Sequence, residues 1–553
     1  MSRISSKKIY SLTLLIILCI AIFLRLYQLG INPPSLNWDE TSIGYNAYSV
    51  LKTGKDEYGN FLPLSFRSFD DYKPPLYIYL TVPSVAVFGL NPFAVRLPAA
   101  IIGIMAVAMM YYFVKEVFDY ANIAFREHVA LLSAFFLALS PWHLQFSRAA
   151  YEGNIGMFFL FSSLLFFLRA LKKPKNYIFF GIFFVLSVYS YHSFRLINPI
   201  LLGVLLIFFR RQILKQKLLF FVSFSIILIF THSLYTSFLN PQGAAGARLS
   251  MVTVFADPVK QKEAAVKVSL AKENKDYIGQ VIYNRRFIFL PEIIDNYFDH
   301  FGFGYLFLHG DGGVQHHAFN MGMLYIWDVP FLVIGLMYLL RKPNKKTILL
   351  FSTFLIAALP ASITTGTPHP VRAIAMMPGF HIFTSIGVVI ISTFILKSNK
   401  KLGYIFMSLI SFGLFINIIY YLHQYYIETP KVYGYFWQYG NKEAVVYAKK
   451  HEDKYKKITI SYKYDQPYIY YLFYNKIDPA WYQSNWDYSK TGEVDRFYRK
   501  IGKYEFKMID YPVDSLDKNV LIFASPSEIP ENIDSDHIIY FPDGRVAYKI
   551  ISL

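Results

Sequence analysis

Cysteine and charge are both scarce in this 553-residue chain, and each shortage excludes something. The single cysteine, Cys19, rules out an intramolecular disulfide, so any part outside a membrane must be held by its own core. That thiol lies inside the first apolar run, where a lone cysteine is inert. Charged residues are 17% of the chain, against about 25% in ordinary soluble proteins, so lipid must be part of the solvent. The chain also lacks an internal repeat of fixed period and any low-complexity tract.

What replaces charge is apolar and aromatic surface, with 54% hydrophobic residues, 52 Phe and 45 Tyr. Apolar runs of the length a bilayer requires, about 20 residues, lie before residue 425. The expected spans are 9–29, 96–118, 128–147, 154–171, 177–194, 196–209, 217–238, 324–340, 347–364, 372–396 and 402–424, about eleven transmembrane helices. Ser2 to Lys8 followed by the first run resembles a signal peptide. The run is long, has no small-residue cleavage site and is followed by further spans, so it reads as a signal anchor.

The net charge of +18 would suit nucleic acid, but its placement excludes that partner. Its dense clusters are short and sit between apolar runs: Lys172-Lys173-Pro174-Lys175, Arg210-Arg211, Arg341-Lys342 with Lys345-Lys346, and Lys397 with Lys400-Lys401. Such clusters mark cytoplasmic loops. With Lys7 and Lys8 inside, every cluster falls inside, giving a multi-pass plasma-membrane protein with its N-terminus cytoplasmic. Loops 30–95 and 239–323 are then outside. The expected domains are a transmembrane catalytic part, 1–427, and a soluble extracytoplasmic part, 428–553. Beyond residue 428 short β-like runs such as Ile458-Thr459-Ile460-Ser461 and Val520-Leu521-Ile522-Phe523 accompany a helical Lys442–Lys450 stretch, which predicts a small α/β domain. Trp437, Trp481 and Trp486 lie there, and the domain is expected to bind or orient an acceptor. Segment 74–90 is apolar but short, and is expected to be an interfacial or re-entrant helix. Segment 41–52 is expected to be an amphipathic helix.

The chemistry-bearing candidates cluster on the outer side. Asp39-Glu40 follows the first span; such a pair either caps a helix or supplies a carboxylate base for an incoming hydroxyl. Asp71-Tyr72-Lys73 precedes the interfacial helix, which sets the Lys73 ammonium at headgroup depth, as a snorkelling lysine or a phosphate contact. Arg148, Arg195 and Arg372 are cations on the side that the positive-inside rule disfavours, which suggests a bound anion. Glu152 and His369 are further candidate substrate contacts. In loop 239–323, His309-Gly310-Asp311-Gly312-Gly313 and His316-His317 invite a metal reading, but the spacing matches no zinc signature; an acceptor-side role is preferred. Asp39, Glu40, Asp70 and Asp71 could together hold one divalent ion through oxygen ligands. No cofactor is assigned, and a divalent metal stays open.

Taken together, Asp39-Glu40 after the first span, Lys73-Pro74-Pro75-Leu76, Ser140-Pro141-Trp142-His143 through Ser147-Arg148, and Pro370-Val371-Arg372 resemble glycosyltransferase family 39. That family holds the protein O-mannosyltransferases and lipid A aminoarabinose transferases. The similarity covers roughly residues 10–425. It implies the GT-C fold: an α-helical polytopic membrane protein, here with a C-terminal α/β extracytoplasmic domain. It also implies inverting transfer of a sugar from a polyprenyl-phosphate donor to a protein, lipid or glycan hydroxyl on the outer face, among membrane lipids and without nucleic acid. By the same resemblance Asp39, beside Glu40, matches the catalytic acid and Lys73 the lysine on the donor phosphate. Arg372 is a partner by position. Ser42 stands where the lipid A transferases have arginine, and Tyr72 where they have an acid, so neither named acceptor is carried over. The rival expectation is a transporter or flippase of lipid-linked sugars; it would show inverted repeats and ionisable groups at the bilayer midplane, whereas here the span interiors hold few.

Overall fold

Backbone groups in hydrocarbon find no water, so long apolar runs must close their own hydrogen bonds as helices. The computed structural model describes residues 3–69, 71–239, 252–285, 287–341, 343–485 and 497–553; Asp70, Lys342 and Trp486 lie outside the described residues. Among these, eight helices are long and apolar enough to cross a membrane: Lys7–Leu26, Pro92–Val117, Glu152–Ala170, Phe194–Lys215, Lys217–Thr236, Lys345–Ser362, Ile374–Ser398 and Lys400–Val432. A ninth span would be the pair Ile123–Leu139 and Pro141–Arg148, which turns by 56°. The expected straight span 128–147 is thus bent, and Pro141 is the cause. It offers no N–H to the preceding turn and pushes Ser140 out of the helical region, to ψ 125°. The two remaining expected spans, 177–194 and 324–340, are helices of 15 and 14 residues, Asn176–Ser190 and Asp328–Arg341. A helix stands at every expected span, and these two fall short of the length of a straight crossing.

The chain forms two units. The first comprises Met1–Leu24, Ile102–Phe146 and Gly153–Tyr421. In it helix Asp328–Arg341 packs closely against helix Met377–Ser398. The backbones touch because two glycines face each other. A Cβ on Gly335 would stand 1.8 Å from the Phe383 carbonyl oxygen, and one on Gly387 would stand 1.9 Å from that of Phe331. Lipid offers no hydrophobic drive for helix association, so close packing through small residues takes its place. At one end of this unit Lys172 bridges Glu116 (2.8 Å) and Asp119 (2.7 Å), and Lys346 joins Asp119 at 2.6 Å. Three of the loops expected on the inner side therefore meet on one face.

The second unit comprises Arg25–Ile101, Ser147–Glu152 and Leu422–Leu553. Its C-terminal sheet has β3 (Lys457–Ser461), β4 (Tyr498–Ile501), β5 (Tyr504–Lys507), β6 (Val520–Ala524), β7 (His537–Tyr540) and β8 (Val546–Ser552), in the order β4-β5-β3-β6-β8-β7. β3 runs parallel to β5 and β6, and the other pairings are antiparallel. All five residues of β6 are buried, as its unbroken apolar run predicts for a strand covered on both faces. The α/β expectation for this region holds. Earlier in the unit come helix Trp38–Thr53, the ribbon β1 (Phe66–Ser68) with β2 (Asp71–Lys73), and helix Pro75–Phe88.

The sheet region and helix Trp38–Thr53 are packed together within this unit. Helix Pro467–Tyr474 lies on helix Trp38–Thr53 so closely that a Cβ on Gly44 would stand 2.5 Å from the Phe473 ring. Tyr470 donates its hydroxyl to the Leu36 carbonyl (3.0 Å), and Tyr45 donates to that of Ile477 (3.1 Å). Gln483 donates to Ser49, Thr53 and the Asp56 carbonyl.

Candidate active site

Helix Trp38–Thr53 begins with a reciprocal cap. Asn37 Oδ1 accepts from the Glu40 amide at 2.8 Å, while the Glu40 carboxylate accepts from the Asn37 amide at 3.2 Å. This geometry orients the two acids differently. Glu40 turns inward and is fully buried. Arg96 grips it with two parallel bonds, Nε to Oε1 at 2.9 Å and Nη2 to Oε2 at 3.0 Å, and the Ala150 amide donates to Oε1 at 2.9 Å. Arg96 spends its remaining donors on the carbonyls of Leu29, Pro33 and Ser35. A buried charge needs this kind of saturation.

Asp39 turns the other way. Its side chain is 49% exposed, and Oδ1 accepts from Lys73 Nζ at 2.6 Å, while the Lys73 side chain is only 7% exposed. The ribbon sets Lys73 there, since β2 pairs with β1 in the register Phe66 to Lys73. Ser42 and Ser68 hydroxyls meet at 2.9 Å and tie helix to ribbon. Glu152 lies within electrostatic reach of both Lys73 and Asp39. Asp71 and Tyr72 are half-buried beside Lys73 on the same strand; Asp71 accepts the Tyr72 amide at 2.7 Å. Arg148 is buried, donating to the Tyr425 hydroxyl (3.1 Å) and the Asn32 carbonyl (3.0 Å) and lying over the rings of Tyr425 and Tyr426.

Asp39, Glu40, Asp71, Tyr72, Lys73, Arg148 and Glu152 thus all belong to the second unit. Arg195, His369 and Arg372 belong to the first. Arg195 is buried at the start of its span, where its carbonyl accepts from Tyr235. Arg372 donates to the Thr364 hydroxyl (2.6 Å) and the Thr365 carbonyl (2.8 Å). The His369 amide donates to His300 Nε2 at 3.0 Å, and its ring packs on that of His316. Burial pushes the His369 imidazole well below its usual range, and the Arg372 guanidinium and the His316 and His300 rings push it the same way.

For a divalent ion the donor set is unfavourable. Asp39 and Glu40 point apart, and each already has its own cation, Lys73 and Arg96. In the loop motif, His316 is bonded to Asp311 and His317 to the Asp311 carbonyl. Among the described residues no group of three or more His, Cys, Asp or Glu is placed to hold a metal. Sequence reasoning missed Arg96 and the Tyr425 partner of Arg148. A signal for the first existed, since a charged residue at the head of an apolar span needs a partner.

Residues 72–235 match the family described as dolichyl-phosphate-mannose-protein mannosyltransferase. Two Bacillus subtilis (strain 168) proteins are similar: "Putative mannosyltransferase YkcB", 23% identical over 39% of this chain, and "Putative mannosyltransferase YycA", 26% identical over 30%. The matched stretch covers less than a third of either relative, 29% and 23% of their lengths. Among solved structures, ArnT from Cupriavidus metallidurans bound to undecaprenyl phosphate superposes with a TM-score of 0.52 at 12% identity, over 99% of this chain and 98% of that one. Its apo form gives 0.53 over 94% of each. At that identity the likeness speaks for fold. Matched segment and architecture agree: the chain is a multi-span membrane protein with the GT-C glycosyltransferase fold, and its resemblance to glycosyltransferase family 39 holds.

Proposed function

We propose that the chain transfers a sugar from a polyprenyl-phosphate donor to an acceptor hydroxyl at the outer membrane surface, with Asp39 as base and Lys73 as the phosphate-binding cation. The observation that carries the reading is the Asp39–Lys73 pair, a half-exposed carboxylate 2.6 Å from a buried ammonium. The pair joins the two charges that the chemistry needs. The hydroxyl oxygen attacks the anomeric carbon, the carbon–oxygen bond to phosphate breaks, and the phosphate leaves with the bonding electrons. The hydroxyl proton passes to Asp39. Lys73 offsets the charge that develops on the phosphate, so no general acid is needed. An arriving phosphate competes with Asp39 for Lys73, which frees the carboxylate as the donor binds.

Glu40 takes a positioning role in this reading: its oxygens are occupied by Arg96 and two amides, which leaves Asp39 to meet the hydroxyl. Glu152 adds a second carboxylate near the ammonium. The N-terminus is cytoplasmic, and residues 1–427 carry the chemistry with the domain 428–553 outside.

The test is release of polyprenyl phosphate from a panel of polyprenyl-phosphate sugars by protein in nanodiscs. Asp39→Asn should lower turnover by about 10²–10⁴-fold, and Lys73→Ala should chiefly raise the donor KM. Near-full activity of Asp39→Asn removes the base assignment, and no turnover of any donor by folded wild type removes the reading.

A further inference from the structure

Loop 239–323 of the first unit carries a second polar site that the transfer chemistry above does not use. Segment Gly304–His309 is a π-helical turn, a form that recurs at functional sites. It opens beside a cavity of about 580 Å³ lined by Phe298, Asp299, Tyr305, His309, Asp311 and Pro368, with glycines between. Its size falls in the range of small-molecule clefts, roughly 300–1,000 Å³. Gly310 adopts φ +72°, and a side chain there would strike the His317 ring at 2.4 Å, so the turn into the cavity depends on glycine.

Two residues that line the cavity each carry a buried polar atom with no hydrogen-bond partner among the described residues. Tyr305 is 4% exposed and its hydroxyl has no partner among the described residues. Asp311, with a 5% exposed side chain, places Oδ2 against His316 Nδ1 (2.7 Å) and the Gly313 amide (3.1 Å), which leaves Oδ1 unbonded. Each costs stability where it stands. Both are recovered if a ligand reaches them.

We propose that this cavity binds a saccharide. The lining selects for hydroxyl groups. Asp311 Oδ1 and the Asp299 carboxylate accept hydrogen bonds, so the ligand must donate several. Among the described residues no lysine or arginine lines the cavity, so a phosphate finds no cation there. Phe298 and Pro368 supply the apolar surface that the C–H face of a pyranose covers. The Thr367 hydroxyl holds Asp299 Oδ2 at 3.4 Å and Asn296 at 2.8 Å, fixing one wall.

Saturation-transfer NMR on the full chain in nanodiscs, with mannotriose and chitotriose as probes and a threonine-containing hexapeptide as contrast, tests the assignment. Tyr305→Phe removes one oxygen that the fold does not use, so the variant should melt no lower than wild type. Its affinity for the bound trisaccharide should fall about tenfold, as should that of Asp311→Asn. Signal from neither trisaccharide, signal from the peptide alone, or unchanged affinity in both variants overturns the proposal. Trisaccharide binding without turnover of any donor would instead remove the transfer reading and leave the saccharide site standing.

Discussion

Asp39 and Glu40 are adjacent carboxylates on the first turn of one helix, and their surroundings are opposite. Glu40 is sealed, saturated by Arg96 and backbone amides, while Asp39 stands half in solvent with a single strong partner. One acid holds the loop together, and its neighbour is the proposed base. This division is open to attack by paired substitutions. Asp39→Asn should cost about 10²–10⁴ in turnover and less stability than the loss of Glu40, since the Asp39 side chain is half in solvent and the Asn oxygen can still accept from Lys73. Glu40→Ala should do the reverse. It strands the Arg96 guanidinium in a dry site, and breaking such a pair costs about 3–5 kcal/mol. Thermal unfolding by size-exclusion in detergent, beside the donor-release assay, reads both. If Glu40→Ala folds normally and Asp39→Asn does not, the roles are exchanged.

The next largest effect concerns the support beneath that helix. Gly44 admits Phe473 and Val95 so closely that added methyls must displace them. Gly44→Val should cost about 1–3 kcal/mol by overpacking and lower turnover by shifting the first turn. A smaller loss is expected for Tyr470→Phe, about 1 kcal/mol for the hydrogen bond to Leu36. If neither changes turnover while both lower the melting temperature, the C-terminal segment acts on stability alone.

How much of this was legible beforehand depends on the kind of signal. Long apolar runs are local, and a helix stands at each expected span. The bend at Pro141 was equally local and was passed over. Asp39 and Lys73 could be singled out by their places beside the first span and the interfacial helix. Their 2.6 Å contact follows from the β1–β2 register, which three-residue strands do not announce. The partner of Glu40 lies 56 positions away, beyond any periodicity. Placement of Pro467–Tyr474 against Trp38–Thr53 joins residues more than 400 apart, so no local pattern announces that the C-terminal region packs on the helix of the acid pair.

The smallest effect comes from the first unit, where burial keeps the His369 and His300 rings neutral. His369 titrates well below its usual value because burial and then Arg372, His316 and His300 oppose its charge. His300 is lowered too, mainly by burial. Above pH 6.5 both rings are neutral whether the chain is folded or unfolded, and they leave stability independent of pH. Below it the unfolded chain takes up protons that the folded one refuses. Stability is therefore lost as pH falls from about 6.5 toward the folded value, by at most about 1.4 kcal/mol per pH unit for each ring. Unfolding temperatures of wild type and His369→Gln, compared from pH 7.5 to 5.5, should converge with falling pH as the wild type loses more. Parallel curves would mean that His369 accepts a proton in place, and that the cluster is open to water in a way the Asp39 site alone is expected to be.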